Sequence, residues 1–281
     1  LSVYLVYLLG LKLLKNQITS LIAAFIFSLD GLNFVQSRTG MNDIYYVTFV
    51  LISILFILNR KFFLSAVFFG LAISSKWAAI YLLLIYFILL LYYIARQKGE
   101  IIQRAWYIII KVPWSFSEIG RVVCYFTFIP PITYLLSYLP FFILGHTFDQ
   151  FIQLQQQMWW YHTGLKAAHA YSSPWWSWPF NLYPVWYFVD YQKNNISNIF
   201  ASGNPALFWA GTIAVILTTW EVIKKRSINL MIILLGFFAF WLPWANSPRI
   251  MFLYHFSPSV PFLSLALGYQ LSKILKDKKY S

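Results

Sequence analysis

Apolar residues run through this chain in long blocks separated by short polar and basic stretches. Blocks near 1–11, 18–35, 42–58, 62–75, 77–95, 121–145, 205–222, 228–244 and 252–272 each predict a helix. Runs of this length without strict alternation fit helices in lipid. A transmembrane barrel would instead show ten-residue segments of alternating polarity. The stretch 62–95 reads either as one overlong helix or as two spans joined at Ser74, Ser75 and Lys76. Residues 62–75 rise only roughly 21 Å, short of the ~30 Å hydrocarbon core. Two spans are still preferred, because a single one would put the basic 96–111 segment on the side opposite Arg60 and Lys61. The pattern thus divides the chain into helices over 1–145, a polar and aromatic segment at 146–204 with short amphipathic helices, and helices with a basic tail over 205–281. The predicted fold class is an all-α polytopic membrane protein.

Composition agrees: 60% of residues are hydrophobic and 10% charged, against about 25% charged in soluble domains. The formal net charge of +13 reads as basic cytoplasmic loops, and no nucleic-acid partner is predicted. The single cysteine, Cys124, excludes an intramolecular disulfide and a cysteine-based metal site. His162 and His169 fall on one helix face, but no Asp, Glu or Cys joins them at metal-ligand spacing, so no metal is predicted. GxGxxG, P-loop and GxSxG patterns are absent from the sequence. The chain opens without Met inside an apolar run, from which a longer parent protein is expected.

The 21 Lys and Arg sort by side. Lys12, Lys15, Arg60, Lys61, Arg96, Lys98, Arg104, Lys111, Arg121, Lys224, Lys225, Arg226, Lys273, Lys276, Lys278 and Lys279 share one face. Arg38, Lys76, Lys166, Lys193 and Arg249 fall on the other. The excess marks the first face as cytoplasmic and places 146–204 outside. Arg38, Lys76 and Arg249 each sit at the outer end of a helix. Two readings are open: separate snorkelling to headgroups, or convergence on an anion such as a lipid-linked phosphate. Asp30 and Asp43 flank Arg38 in LDGLNFVQSRTGMND. Either one of them orients Arg38 by a charge-assisted hydrogen bond, the preferred reading, or one contacts substrate or serves as a base.

Several stretches together resemble the protein O-mannosyltransferases of the C-type glycosyltransferase superfamily. They are DGLNFVQSRTGMND (30–43), GLAISSKWAAIY (70–81), QQQMWWYHTGLKAAHAYSSPWWSWP (155–179), GNPALFW (203–209) and PRIMFLYHFSPSVPF (248–262). The resemblance implies a C-type glycosyltransferase-like helical bundle with an external aromatic loop. It also implies an inverting transfer of mannose from a polyprenyl-phosphate carrier to Ser or Thr hydroxyls of a secreted or membrane polypeptide. No cofactor or metal is implied, and a dimer is allowed. The family's acidic base lies in an external loop upstream of residue 1, so no catalytic base is assigned within the chain. Arg38 matches the arginine of the family's SR motif. Lys76, Arg249 and His255 are assigned to the lipid-phosphate or sugar-phosphate region. Segment 146–204 has no room for the β-trefoil repeat domain of eukaryotic members, which points to a bacterial relative in the cytoplasmic membrane. For the loop aromatics two readings stand: interfacial anchoring, or contact with sugar or acceptor peptide through His162, His169, Tyr171, Trp175 and Trp178. A transferase moving another lipid-linked sugar onto a lipid or glycan is the alternative. A transporter, which would show inverted repeats and broken midplane helices, fits less well.

Overall fold

The computed structural model describes residues 1–97 and 116–277. Lys98, Arg104, Lys111, Lys278 and Lys279, counted above as cytoplasmic, lie outside the described residues. Twelve helices and one hairpin are described: α1 (Ser2–Leu14), α2 (Gln17–Ser28), α3 (Gly31–Thr39), α4 (Asn42–Leu58), α5 (Phe62–Ser75), α6 (Leu82–Gln97), α7 (Phe116–Ser137), α8 (Leu139–Ile143), α9 (Phe148–Thr163), β1 (Val185–Tyr191), β2 (Ile196–Ala201), α10 (Pro205–Lys225), α11 (Ile228–Ala239) and α12 (Val260–Asp277). Tight 3₁₀ turns cover Trp77–Tyr81, Trp175–Phe180, Leu242–Asn246 and Leu253–Ser259.

Among the described residues three segments are long and apolar enough to cross a bilayer: Ile119–Ser137, Pro205–Lys225 and Ile228–Asn246. The chain is an integral membrane protein with a helical bundle. One predicted span is broken, and the 62–95 block divides in two. The 18–35 block bends by 62° between α2 and α3, because Asp30 stops one helix and caps the next, its side chain accepting the Asn33 N–H at 2.8 Å. The 62–95 block breaks at Lys76, which is fully extended (φ −160°, ψ 126°) between α5 and the turn that starts α6. That break is the one expected from charge. Segment 146–204 differs from expectation. It contains one long amphipathic helix, α9, then the Trp175–Phe180 turn and an antiparallel hairpin.

α4 packs on α5 and α1, α1 on α2, α2 on α12, and α12 on α10 and α11. Fully buried Leu9, Leu51, Ile54, Phe237, Phe240 and Phe262 lie in this core. Where lipid offers no hydrogen bonds, polar groups are paired inside. Ser53 Oγ lies 2.5 Å from Tyr86 Oη, and Ser65 Oγ donates to the Ser53 carbonyl at 2.8 Å, joining α4, α5 and α6. Gly236 lets α11 approach α12, since a Cβ there would lie 2.2 Å from the Phe262 ring.

The two ends of the bundle differ in chemistry. At one end Lys12 donates to Asn59 Oδ1 at 2.7 Å, Asn229 donates to the Leu13 carbonyl at 2.6 Å, and Glu221 meets both Lys225 and Lys273. Here Lys15, Arg60 and Arg226 adopt left-handed backbone at helix ends (φ 53°, 63° and 50°). Lys12, Lys15, Arg60, Lys225, Arg226 and Lys273 thus lie at one end of the bundle. The opposite end carries α3, α9, the hairpin and the candidate site.

Candidate active site

Asp43 lies in the first turn of α4, and Lys76 follows the last residue of α5. Because α5 stops at Ser75, the Lys76 side chain turns back toward the start of α4. Its Nζ donates to Asp43 Oδ1 at 2.5 Å, with the two side chains 18% and 5% exposed. The same ammonium lies 5.3 Å from the centre of the Tyr254 ring, a cation–π contact. A positive charge is thus held at the end of the bundle by one carboxylate and one aromatic face.

α9 brings a second set of groups. A Thr147–Gln150 capping box starts this helix. Phe151 and Met158 lie on its packed side, and Gln155 accepts from Tyr134 of α7 at 2.6 Å. About two turns beyond Gln155, His162 Nδ1 meets the Arg249 guanidinium. The imidazole also lies 5.7 Å from the Trp77 ring. Trp77 in turn donates its indole N–H to Tyr134 at 2.9 Å. Arg249 covers the Tyr161 ring at 5.2 Å. Burial, then the nearby charges of Arg249 and Lys76, hold the His162 pKa below its ordinary value. Lys76 and Arg249 therefore act on one imidazole, although 173 positions separate them in sequence (249 − 76).

The turn Leu253–Ser259 forms the inner wall. His255 is 2% exposed. Its ring stacks on Tyr254 at 4.6 Å and on Trp178 at 5.9 Å, with Trp244 edge-on at 4.3 Å. Nδ1 lies 2.9 Å from the Phe252 carbonyl, and Nε2 is buried with no partner. The motif HAYSSPWWSWP docks here: the Ser173 N–H donates to the Met251 carbonyl at 2.9 Å, and Trp178 donates to Ser173 Oγ at 2.9 Å.

The hairpin contributes a residue the sequence reading did not single out. Trp186 pairs with Phe200 and Phe188 with Ile199, so Tyr187 is an extra residue in β1, a bulge. Bulges re-aim side chains. Tyr187 turns inward, 6.2 Å from Tyr254, and its hydroxyl accepts from Gln36 Nε2 at 3.4 Å. Gln36 Oε1 accepts from Ser257 at 2.7 Å. This amide joins α3, the hairpin and the inner wall.

Of the residues singled out from sequence, Asp43, Lys76, His162, Arg249 and His255 come together. Arg38 does not join them through a carboxylate. It is exposed on the last turn of α3, 6.0 Å from the Phe34 ring. The expectation that Asp30 or Asp43 orients it is corrected, because Asp43 is taken by Lys76 and Asp30 by its own helix and the Asn33 side chain. Asp30 is 1% exposed and lies behind α3. Trp178, expected to touch sugar or acceptor, is 0% exposed and serves as packing under His255. Trp175 is tied to Trp241, whose indole N–H donates to the Trp175 carbonyl at 2.8 Å. His169 and Tyr171 remain at the surface, 5.3 Å apart, beside Phe252 and Trp186. Among the described residues no three His, Cys, Asp or Glu gather closely enough to hold a metal ion.

Comparison with known proteins now bears on this arrangement. The family model described as dolichyl-phosphate-mannose-protein mannosyltransferase matches residues 1–148, and that for the C-terminal four-span region of protein-O-mannosyltransferase matches 147–281. The chain belongs to the protein O-mannosyltransferase family. The polyprenol-phosphate-mannose–protein mannosyltransferase of Mycolicibacterium smegmatis is 24% identical, over 97% of this chain and 64% of its own length. The protein of the same description in Mycobacterium tuberculosis is 23% identical, over 94% and 62%. A dolichyl-phosphate-mannose–protein mannosyltransferase of Saccharomyces cerevisiae is 30% identical over 52% of this chain and 19% of its own length. The chain thus spans slightly less than two thirds of the bacterial relatives it matches. Among solved structures, an oligosaccharyltransferase of Archaeoglobus fulgidus superposes with a TM-score of 0.53 at 13% identity, over 99% of this chain and 39% of the other. That likeness is one of fold: this O-mannosyltransferase family member shares the helical membrane fold of that oligosaccharyltransferase.

Proposed function

We propose that this chain carries the donor site of an enzyme that transfers mannose from a polyprenyl-phosphate carrier to Ser or Thr hydroxyls of a secreted or membrane polypeptide. The observation that carries the reading is the convergence of Lys76 and Arg249 on one aromatic-walled end of the bundle. Breaking the mannosyl–phosphate bond leaves negative charge on the lipid phosphate. Fixed cations stabilise that charge as it develops. Lys76 and Arg249 stand where a lipid-anchored phosphate can meet them, with its tail remaining in the bilayer. Arg38, on the exposed turn of α3, is the third cation of the proposed donor region.

Asp43, ion-paired with Lys76, acts in this arrangement as a charge partner and not as the proton acceptor. The family resemblance implies an acidic residue as the base for the acceptor hydroxyl, and no residue of this chain is assigned that role. Donor and acceptor are the two substrates, and no cofactor takes part. Exposed His169 and half-buried Tyr171, beside the hairpin, border the acceptor polypeptide in this reading. The charge asymmetry between the ends supports 146–204 on the external face, and the shortness of that segment, without room for a β-trefoil domain, supports a bacterial cytoplasmic membrane.

The test uses the full-length enzyme in membranes with labelled polyprenyl-phosphate mannose and a Ser/Thr-containing peptide. Transfer to the hydroxyl is expected, with Arg249→Met raising the donor KM at least about tenfold, as loss of a hydrogen-bonded charge implies. Absence of mannosyl-peptide, or a donor KM unmoved by Arg249→Met and Lys76→Met, refutes the reading.

A further inference from the structure

We infer that His162 is a positioning residue whose neutral imidazole holds the Arg249 guanidinium in the donor site, so that protonation of His162 switches donor binding off. The inference rests on the function proposed above and adds to it a regulation that neither family membership nor the fold implies.

Arg249 lies in an irregular stretch between α11 and α12, with no regular secondary structure of its own. Its side chain is held by three contacts: the Tyr161 ring, the Ile250 carbonyl at 3.3 Å, and His162. A guanidinium has only donors, so the imidazole nitrogen facing it must be the unprotonated one. His162 itself rests against the Trp77 ring at 5.7 Å, and Trp77 is held by Tyr134. α7, α9 and the segment after α5 therefore all bear on where Arg249 points.

The charges around His162 set the direction of the response. Arg249 contacts it from the irregular stretch, the charge of Lys76, itself paired with Asp43, bears on it from the end of α5, and the titratable His255 bears on it from the inner wall. Tyr161, on its own helix, and Trp77 and Tyr134, from the other packed elements, bring no charge. A second proton on the ring turns its acceptor into a donor and sets a third cation beside two. The contact is made at neutral pH and lost on acidification. A phosphate arriving between Lys76 and Arg249 meets the preset pair only in the first state. Acidification outside the membrane would therefore slow donor capture.

Donor KM and kcat of the full-length enzyme, measured from pH 8 to pH 5 for wild type, His162→Ala and His162→Gln, test this. His162→Ala is expected to raise the donor KM about tenfold at neutral pH with kcat little changed, the signature of lost ground-state binding. Gln accepts the same hydrogen bond without titrating. His162→Gln should keep the neutral-pH KM within about threefold, well under the tenfold loss for a deleted hydrogen bond, and should flatten the rise in KM below pH 6.5. A donor KM unchanged in His162→Ala, or a wild-type acid limb in His162→Gln, overturns the inference. A wild type that transfers no mannose would refute the proposed function instead. Spin labels on Gln156→Cys and Asn246→Cys, in a full-length background cleared of its other cysteines, Cys124→Ser included, then decide separately. An inter-label distance that broadens between pH 7.5 and pH 5, but not with His162→Gln, supports the contact, and an unchanged wild-type distance overturns it.

Discussion

Replacing Asp43 with Asn and Lys76 with Met, singly and together, measures the ion pair that sets up the candidate site. The pair is 2.5 Å apart, with Lys76 and Asp43 side chains 18% and 5% exposed, so both charges are largely out of water. Removing one member of a buried pair costs about 3–5 kcal/mol, because the other is left uncompensated. Asp43→Asn leaves Lys76, which keeps the Tyr254 ring at 5.3 Å and some access to solvent. Its cost falls to about 2 kcal/mol. Lys76→Met leaves Asp43, almost fully buried but in the first turn of α4, where the helix dipole returns up to about 1 kcal/mol. Its cost is about 3 kcal/mol. The double variant loses the attraction and both desolvation penalties, and should cost only about 2 kcal/mol. The coupling is then about 3 kcal/mol. In a bundle of this size each kcal/mol moves the melting midpoint by about 2–4 °C. Midpoints come from tryptophan fluorescence of the detergent-solubilised full-length protein at one scan rate. The donor KM separates the partners further, since Lys76→Met should raise it and Asp43→Asn should not. Single effects that simply add, with coupling under about 0.5 kcal/mol, would refute the reasoning.

Three other outcomes follow from the packing. Glu221→Gln removes the carboxylate that meets Lys225 at 2.5 Å, Lys273 at 2.8 Å and the Tyr269 hydroxyl at 2.7 Å. The two lysines are 53% and 49% exposed, so the loss should be only about 1 kcal/mol, read as a lower midpoint with donor KM unchanged. Gly236→Ala would set a methyl 2.2 Å from the buried Phe262 ring, and overpacking of this kind costs about 1–3 kcal/mol, visible in the same melt. His162 has a lowered pKa in the folded protein. Its contribution to stability is therefore complete above about pH 6.5 and lost as pH falls through the lowered value. Wild type should lose more midpoint on acidification than His162→Gln, and equal losses would count against the contact.

Much of the helical frame was legible because lipid imposes one rule on every span. The blocks at 42–58 and 62–75 coincide with α4 and α5, and the break at Lys76 followed from the sidedness of the basic residues. The break at Asp30 carried a local signal, an N-cap residue before Gly31, but an apolar run on both sides hid it. The hairpin also had a signal. VWYFVDY is rich in aromatic and β-branched residues and precedes the polar turn QKNN. Treating 146–204 as one polar segment concealed it. The site itself was legible only in its residue types. That Lys76 takes Asp43, leaving Arg38 without it, depends on where two helices end in space. Tyr187 enters through a one-residue bulge, and no periodicity announces a bulge. Trp178 stood out by composition, which does not distinguish a packed indole from an exposed one.

Lys15, Arg60 and Arg226 close helices in left-handed backbone, a conformation in which glycine carries no steric penalty. Each residue there gives up about 1 kcal/mol, yet all three are cations at the basic end of the bundle. By the positive-inside rule such cations bias which way a chain inserts, a role glycine cannot fill. Glycine at all three would ease the backbone and, in the same clones, remove the side-chain interactions and the positive charges that mark this end.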